Sequence, residues 1–293
     1  QGGTILGSSR GNQDPEEMVD MLQEKGINLL FCIGGDGTLK GAKAIADAAN
    51  NRKANISLIG IPKTIDNDLG FVEKTFGFET SVQIASEIIS CAHNEAEGAE
   101  NGIGIVKLMG RDSGFIAATA SLANSVVDFC LIPELPFHLH GPNGLCAAVH
   151  NSLKLHRHAV IVVAEGAGQD LFKNTKQRID QSGNILKDDI GEYLKSELSD
   201  YFKKDGTAIS IKYLDPSYHI RSVVANASDA VFCNLLAEYA VHAGMAGKTN
   251  LAIGYWNNFF THVPIALATE ERRMVSLNGA LWRGVLSATQ QEK

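Results

Sequence analysis

Short runs of apolar and β-branched residues alternate with longer stretches whose apolar positions recur three and four residues apart, and this alternation sets the expected fold. The short runs predict strands near 28–33, 56–61, 103–109, 128–133, 159–165, 208–213 and 250–254. The longer stretches predict helices at 38–49, 80–92, 112–123, 142–154, 188–203 and 227–245. A further helix running through Met18, Val19 and Leu22 carries its own start signal: Asp14 as N-cap, Pro15 at the first helical position, and Glu17 closing the box. Strands alternating with helices imply α/β architecture, parallel sheets covered by helices on both faces. The expected arrangement is two lobes with a cleft between them. The polar, glycine-bearing stretch 166–187 reads as an excursion loop over the surface or a site.

Composition narrows the classes. The 293 residues are 44% hydrophobic, enough for one large domain or two lobes with sizeable cores. Lys plus Arg number 26 against 33 Asp plus Glu, without a basic stripe, which disfavours nucleic-acid binding. Cys32, Cys91, Cys130, Cys146 and Cys233 form no CxxC pair and lie mostly in apolar runs, so they read as small buried residues in a reducing compartment. No apolar run reaches the roughly 18 residues of a membrane span, and no secretory segment is evident, so a soluble intracellular protein is expected. The start at Gln1-Gly2-Gly3-Thr4 reads as that of a processed or partial chain.

The candidate chemistry falls just after the predicted strands, where open parallel sheets place their ligand sites. After the first comes Gly34-Gly35-Asp36-Gly37-Thr38. Its glycines let backbone N–H groups approach phosphate oxygens, and the following helix adds positive partial charge. Asp36 among phosphates needs a cation or a proton to move; the same sequence also serves as a tight turn with Asp36 as cap. After the second strand, Pro62-Lys63-Thr64-Ile65-Asp66-Asn67-Asp68 sets two carboxylates beside a lysine and a hydroxyl. That is an acid/base or magnesium-holding constellation, or else a solvated turn.

The third strand leads into Met109-Gly110-Arg111-Asp112-Ser113, where Arg111 can hold an anion and Asp112 or Ser113 can cap the next helix. Glu165, at a strand end before Gly166, can accept from sugar hydroxyls or serve as a plain turn residue. Lys212, Tyr218, His219 and Arg221 fall within ten residues; two cations and a phenol can grip a phosphomonoester, while a lone His219 serves structure more readily. Near the start, Gly3, Ser8, Ser9 and Arg10 offer a nucleotide-phosphate contact.

Taken in this order, GGTILGSSR, GGDGT, PKTIDND, MGRDSGF, EGAG and DPSYHIR resemble the 6-phosphofructokinase family. GGDGT alone also suits NAD kinases or diacylglycerol kinases; PKTIDND followed by MGR makes the resemblance specific. It runs over essentially the whole chain and looks closest to the plant- and protist-like ATP-dependent branch, near the pyrophosphate-dependent enzymes. The resemblance implies two Rossmann-like lobes: residues 1–78 as a phosphoryl-donor lobe, 79–225 as a sugar-phosphate lobe, and 226–293 returning to the donor lobe.

It further implies transfer from ATP to the 1-hydroxyl of fructose 6-phosphate in glycolysis, with Mg2+ as cofactor. Asp66 is then the general base, with Lys63 and Thr64 at the transferring phosphoryl, where positioning and charge neutralisation supply most of the catalysis. Asp36 organises the metal, supported by Asp68. Gly3, Arg10, Gly35, Gly37 and Thr38 face the donor. Thr64, Asp66, Asp68, Met109, Gly110, Arg111, Glu165, Lys212, Tyr218 and Arg221 meet the sugar phosphate. Glycine at 37 goes with ATP in this family, whereas aspartate there leaves room only for pyrophosphate. The family habit is an allosteric, cytoplasmic homodimer or homotetramer, with a plastid address where an upstream segment has been removed.

Three features depart from the family pattern. Its opening strand and glycine-rich donor loop have no counterpart before Gly2-Gly3-Thr4. The arginine that a neighbouring subunit contributes in many members falls at Gly102, and Tyr218 stands where many bacterial relatives have histidine. A pyrophosphate-dependent enzyme and a non-catalytic regulatory subunit of the same fold are the alternative readings.

Overall fold

The computed structural model describes residues 3–5, 13–172, 186–289 and 291. In chain order these form α1 (Pro15–Glu24), β1 (Leu29–Gly34), α2 (Asp36–Asn51), β2 (Ser57–Pro62), α3 (Phe78–Glu97), β3 (Gly102–Leu108), α4 (Phe115–Leu122), β4 (Phe129–Leu131) and α5 (Leu145–His156). They continue as β5 (His158–Ala164), α6 (Ile190–Asp205), β6 (Ser210–Leu214), α7 (Ser217–Ile220), α8 (Ala227–Met245), β7 (Leu251–Trp256), β8 (Phe259–Pro264), α9 (Ile265–Glu270) and α10 (Ala280–Ala288). Each expected strand is present to within two residues at either end. Beyond expectation come β8 and the helices α7, α9 and α10. The helix expected over 112–123 starts at Phe115, because Gly110 and Arg111 take positive φ and Gly114 becomes the N-cap.

The chain divides into two compact units, Gln1–Thr80 with Val224–Arg273, and Ser81–Val223 with Met274–Lys293. The single return to the first lobe expected over 226–293 is therefore split at Arg273. The reason is packing: α10 buries Trp282 and Val285, and its Gly284 lies close against Leu122 of α4.

The first unit holds a sheet in the order β1-β2-β7-β8. β1, β2 and β7 run parallel, and β8 returns antiparallel on β7 through Asn257 and Asn258, both at positive φ. Two adjacent left-handed residues make the two-residue turn whose twist matches a hairpin. Neighbouring residues of β2 face opposite sides. Leu58 joins Val19 of α1 and Ala46 and Ala49 of α2, while Ile59 joins Phe232, Leu236 and Ala240 of α8. Leu58 and Ile59 are both fully buried, each worth about 2 kcal/mol of transfer from water. Gly60 is needed beside them, since a Cβ there would lie 2.5 Å from Leu39 of α2.

The second unit holds an all-parallel sheet in the order β4-β5-β3-β6. β3 and β5 are paired along their whole length and are apolar almost throughout, as strands covered on both faces must be. Ile103, Ile105, Ile161 and Val163 meet Val149 and Leu153 of α5 and Leu194, Leu198 and Phe202 of α6 in one continuous core.

Candidate active site

In the first unit the loops after β1 and β2 lean on each other. Gly34 is the last residue of β1, and a Cβ there would come 2.1 Å from the Thr38 hydroxyl, so only glycine lets α2 start this close to the strand. A Cβ on Gly35 would lie 3.3 Å from Thr64 Cβ, and the Lys63 N–H donates to the Gly34 carbonyl at 3.0 Å. The structure thereby brings GGDGT and PKTIDND to one sheet edge. Gly37 differs from its neighbours: among the described residues, nothing lies within 4 Å of an added Cβ.

Asp36 does not cap α2. Gly35 holds the N-cap position without a side-chain bond, and Asp36 is the first helical residue, where its charge suits the helix N-terminus. Its Oδ2 receives Lys40 Nζ at 2.9 Å and lies 3.8 Å from Arg272 Nη2. The same guanidinium, through Nε, is 3.8 Å from Asp68 Oδ2. Their side chains are 13% and 4% exposed, so one arginine stands beside a half-buried and a buried carboxylate. The sequence pattern carried no sign of this arginine, more than 200 residues away in the chain.

The PKTIDND loop is held from within. Asn67 takes positive φ and is buried; its Oδ1 accepts from the Thr75 N–H at 3.0 Å, and its Nδ2 donates to the Glu73 carbonyl at 3.2 Å. The Thr75 hydroxyl donates to the Thr64 carbonyl at 2.7 Å, and the Asp66 N–H donates to the Thr64 hydroxyl at 3.2 Å. Arg273 locks the far side, its N–H on the Asp68 carbonyl and Nη1 on the carbonyls of Val72 and Glu73. Burial pushes that guanidinium's pKa down from its usual value. Lys63 is exposed and Asp66 half-buried on this internally bonded loop. Gly3 stands at positive φ, and among the described residues nothing lies within 4 Å of an added Cβ; Ser8, Ser9 and Arg10 lie outside the described residues.

In the second unit Glu165 reaches from the end of β5 to the loop after β3. Its Oε1 accepts from the N–H groups of Gly110 at 3.3 Å and Arg111 at 2.8 Å, fixing Met109-Gly110-Arg111 at the strand end. Gly166 is required there, since its Cβ would come 2.0 Å from the Arg111 carbonyl. Asp112, expected as a cap, instead pairs with Lys187, and the N-cap amide of Gly114 donates to Glu134 Oε1 at 2.9 Å. Ser113 also makes no cap: its Oγ is buried and, among the described residues, has no hydrogen-bond partner. Of the excursion over 166–187, residues 173–185 lie outside the described residues.

Arg111, Glu165, Met109 and Gly110 thus form one group. Arg221 packs on Tyr218, its guanidinium 5.1 Å from the ring centre, on the short helix α7 after β6. Lys212 does not join the strand-end group. It pairs in register with Gly104, four residues before Leu108, and at ~3.3 Å per residue that is about 13 Å down the sheet. Also unforeseen was Lys107 of β3, whose Nζ lies 2.8 Å from Asp189 and 2.9 Å from Asp215. Burial works against its charge, but hydrogen bonds to Asp189, Asp215 and Tyr213 prevail and push its pKa up.

Known proteins resemble this chain along nearly its whole length. An ATP-dependent 6-phosphofructokinase of Borreliella burgdorferi is 51% identical over 99% of this chain and 66% of its own length. ATP-dependent 6-phosphofructokinase 7 of Arabidopsis thaliana is 48% identical over 99% of this chain and 60% of its own. The chain therefore spans about two thirds or less of these relatives. The crystal structure of a pyrophosphate-dependent phosphofructokinase from Marinobacter aquaeolei superposes with TM-score 0.77 at 20% identity, covering 99% of this chain and 75% of that one, which is likeness of fold. The sequence profile described as Phosphofructokinase matches residues 1–244, and with most of its length matched the chain belongs to the phosphofructokinase family.

Proposed function

We propose that this chain carries the machinery of an ATP-dependent 6-phosphofructokinase, transferring the γ-phosphoryl group of ATP to the 1-hydroxyl of fructose 6-phosphate. The observation that carries the reading is the sheet edge in the first unit, where two glycine- and proline-led loops present Asp36, Asp66 and Asp68 together with Lys63 and Thr64. The names of the relatives support ATP as donor. The open surroundings of Gly37 fit a nucleotide, which needs room past its β-phosphate.

In this reading Asp66 takes the proton of the sugar 1-hydroxyl. The freed oxygen forms a bond to the γ-phosphorus, the bond from that phosphorus to the bridging oxygen breaks, and ADP leaves. Lys63 and the Thr64 region neutralise and orient the transferring group. Asp36 suits Mg2+, because this cation ordinarily takes one or two carboxylates together with phosphate oxygens; among the described residues no cluster of three protein ligands forms a cage of its own. Bound there, Mg2+ would supply charge neutralisation of the phosphates. Arg111, Glu165, Tyr218 and Arg221 of the second unit hold the sugar phosphate, and Gly3, Arg10, Gly35 and Thr38 face the donor.

The protein is further proposed to be a cytoplasmic homo-oligomer of two or four copies under allosteric control. No described helix is long and apolar enough to cross a membrane. The test supplies fructose 6-phosphate with Mg-ATP or Mg-pyrophosphate and measures fructose 1,6-bisphosphate. Product from ATP is expected; product from pyrophosphate alone overturns the donor, and sugar-phosphate binding without product from either makes the chain a regulatory subunit. Asp66→Asn should cut turnover by about 10²- to 10⁴-fold with fructose 6-phosphate binding retained. Unchanged turnover removes Asp66 as base.

A further inference from the structure

We infer that Lys107 is a positioning residue for fructose 6-phosphate, holding in place α7 with its Tyr218 and the Arg221 that follows it. The inference rests on the sugar-phosphate role given above to that segment. The β3–β6 ladder ends with Val106 opposite Leu214. Lys107 and Asp215 are the next residues on either side, and there an ion pair at 2.9 Å replaces backbone pairing. One strand therefore carries both this lysine and, directly after Leu108, the Met109-Gly110-Arg111 loop.

α7 has little else to fix it. It is four residues long, has no side-chain cap, and buries only Ile220 of its own residues. Tyr218 is 75% exposed. The Asp215 carboxylate links the tether to the helix: Oδ2 faces Lys107, while Oδ1 accepts from the Ser217 N–H at 3.2 Å and from the Ser217 hydroxyl. Lys107 itself is only 13% exposed, so its charge acts in poorly solvated surroundings where pairing is strong.

The second arm of the cluster supplies the control. Asp189 Oδ2 lies 2.8 Å from Lys107, and its Oδ1 accepts from the N–H groups of Gly191 and Glu192 and from the Tyr213 hydroxyl. In both aspartates one oxygen serves the local turn and the other serves Lys107. Replacing either by asparagine keeps the turn acceptor and removes the charge pair, but only the Asp215 pair leads to α7.

The experiment measures fructose 6-phosphate binding by titration calorimetry and thermal midpoint for the full chain and four variants. Lys107→Met should weaken binding about tenfold, and Lys107→Arg should recover most of it. Asp215→Asn should match Lys107→Met, whereas Asp189→Asn should bind as the parent does even though its thermal midpoint falls. Parent-like binding by Lys107→Met, or equal losses in the two asparagine variants, overturns the inference. Should Lys107→Met fail to fold, the asparagine pair decides. Should the parent bind no fructose 6-phosphate, the sugar-phosphate reading falls and takes this inference with it; parent binding with an unaffected Asp215→Asn overturns the inference alone.

Discussion

Asp229 offers the sharpest test of how the first unit is held. It is fully buried, sits in the first turn of α8, and receives three hydrogen bonds from the start of α3. The Gly77 N–H reaches Oδ1 at 3.1 Å; the Thr80 N–H and hydroxyl reach Oδ2 at 2.7 and 2.6 Å. These are the donors a helix start leaves without intrahelical partners, and the carboxylate stands at the positive ends of two helices. In Asp229→Ala the Thr80 hydroxyl can turn elsewhere, but two amides are left without an acceptor in the interior. At about 1–3 kcal/mol for each stranded group, plus a small cavity, the loss should be about 4 kcal/mol.

Asp229→Asn keeps the shape and one acceptor but turns an amide NH2 toward a donor, so it should lose roughly half as much. Urea unfolding with linear extrapolation reads both values. The functional echo is local. Phe76 donates its N–H to the Pro62 carbonyl at 2.9 Å and bridges to Lys63, so loosening Gly77 should also raise hydrogen exchange around Lys63 and Thr64. A loss below about 1 kcal/mol for Asp229→Ala would refute the claim that this carboxylate satisfies the α3 start.

Gly37→Asp should leave stability within about 0.5 kcal/mol, because its side chain meets open space at a helix start that favours an acid. Its kcat/KM for ATP should fall while pyrophosphate use rises, and an unchanged value for ATP would refute the donor argument. Burial raises the Cys130 thiol to about 12 and the Cys146 thiol to about 11. At pH 8 each is then a thiolate in about one molecule per thousand or fewer, so iodoacetamide should label exposed Cys91 first, followed by mass spectrometry. Labelling of Cys146 at the pace of Cys91 in the folded protein would contradict this.

What the sequence made legible was what local pattern encodes. The parallel strands were continuous apolar runs, and the loops GGDGT, PKTIDND and MGR followed them directly. β8 escaped because Phe259–Pro264 mixes exposed aromatic and polar residues, although Asn257-Asn258 was an available hairpin signal. Arg272 and Lys107 escaped for a different reason. An arginine near the end of the first unit's chain, and a lysine within the run Val-Lys-Leu, gain meaning only from carboxylates that folding delivers from far along the sequence. Lys212 shows the limit of nearness along the chain: it lies close in sequence to Tyr218 and Arg221, yet strand register sets it opposite Gly104, four residues before the end of β3.

The emptiness around Gly37 has an evolutionary consequence. From the glycine codons GGU and GGC a single nucleotide change reaches aspartate, and at this position the exchange displaces no neighbouring atom of the described structure. If the residue governs donor choice as proposed, one point mutation can redirect a lineage between nucleotide and inorganic pyrophosphate without a detour through a poorly folded ancestor. Gly34 and Gly60, hemmed in by Thr38 and Leu39, allow no such freedom. Selection on energy supply can therefore act at Gly37 independently of selection on folding.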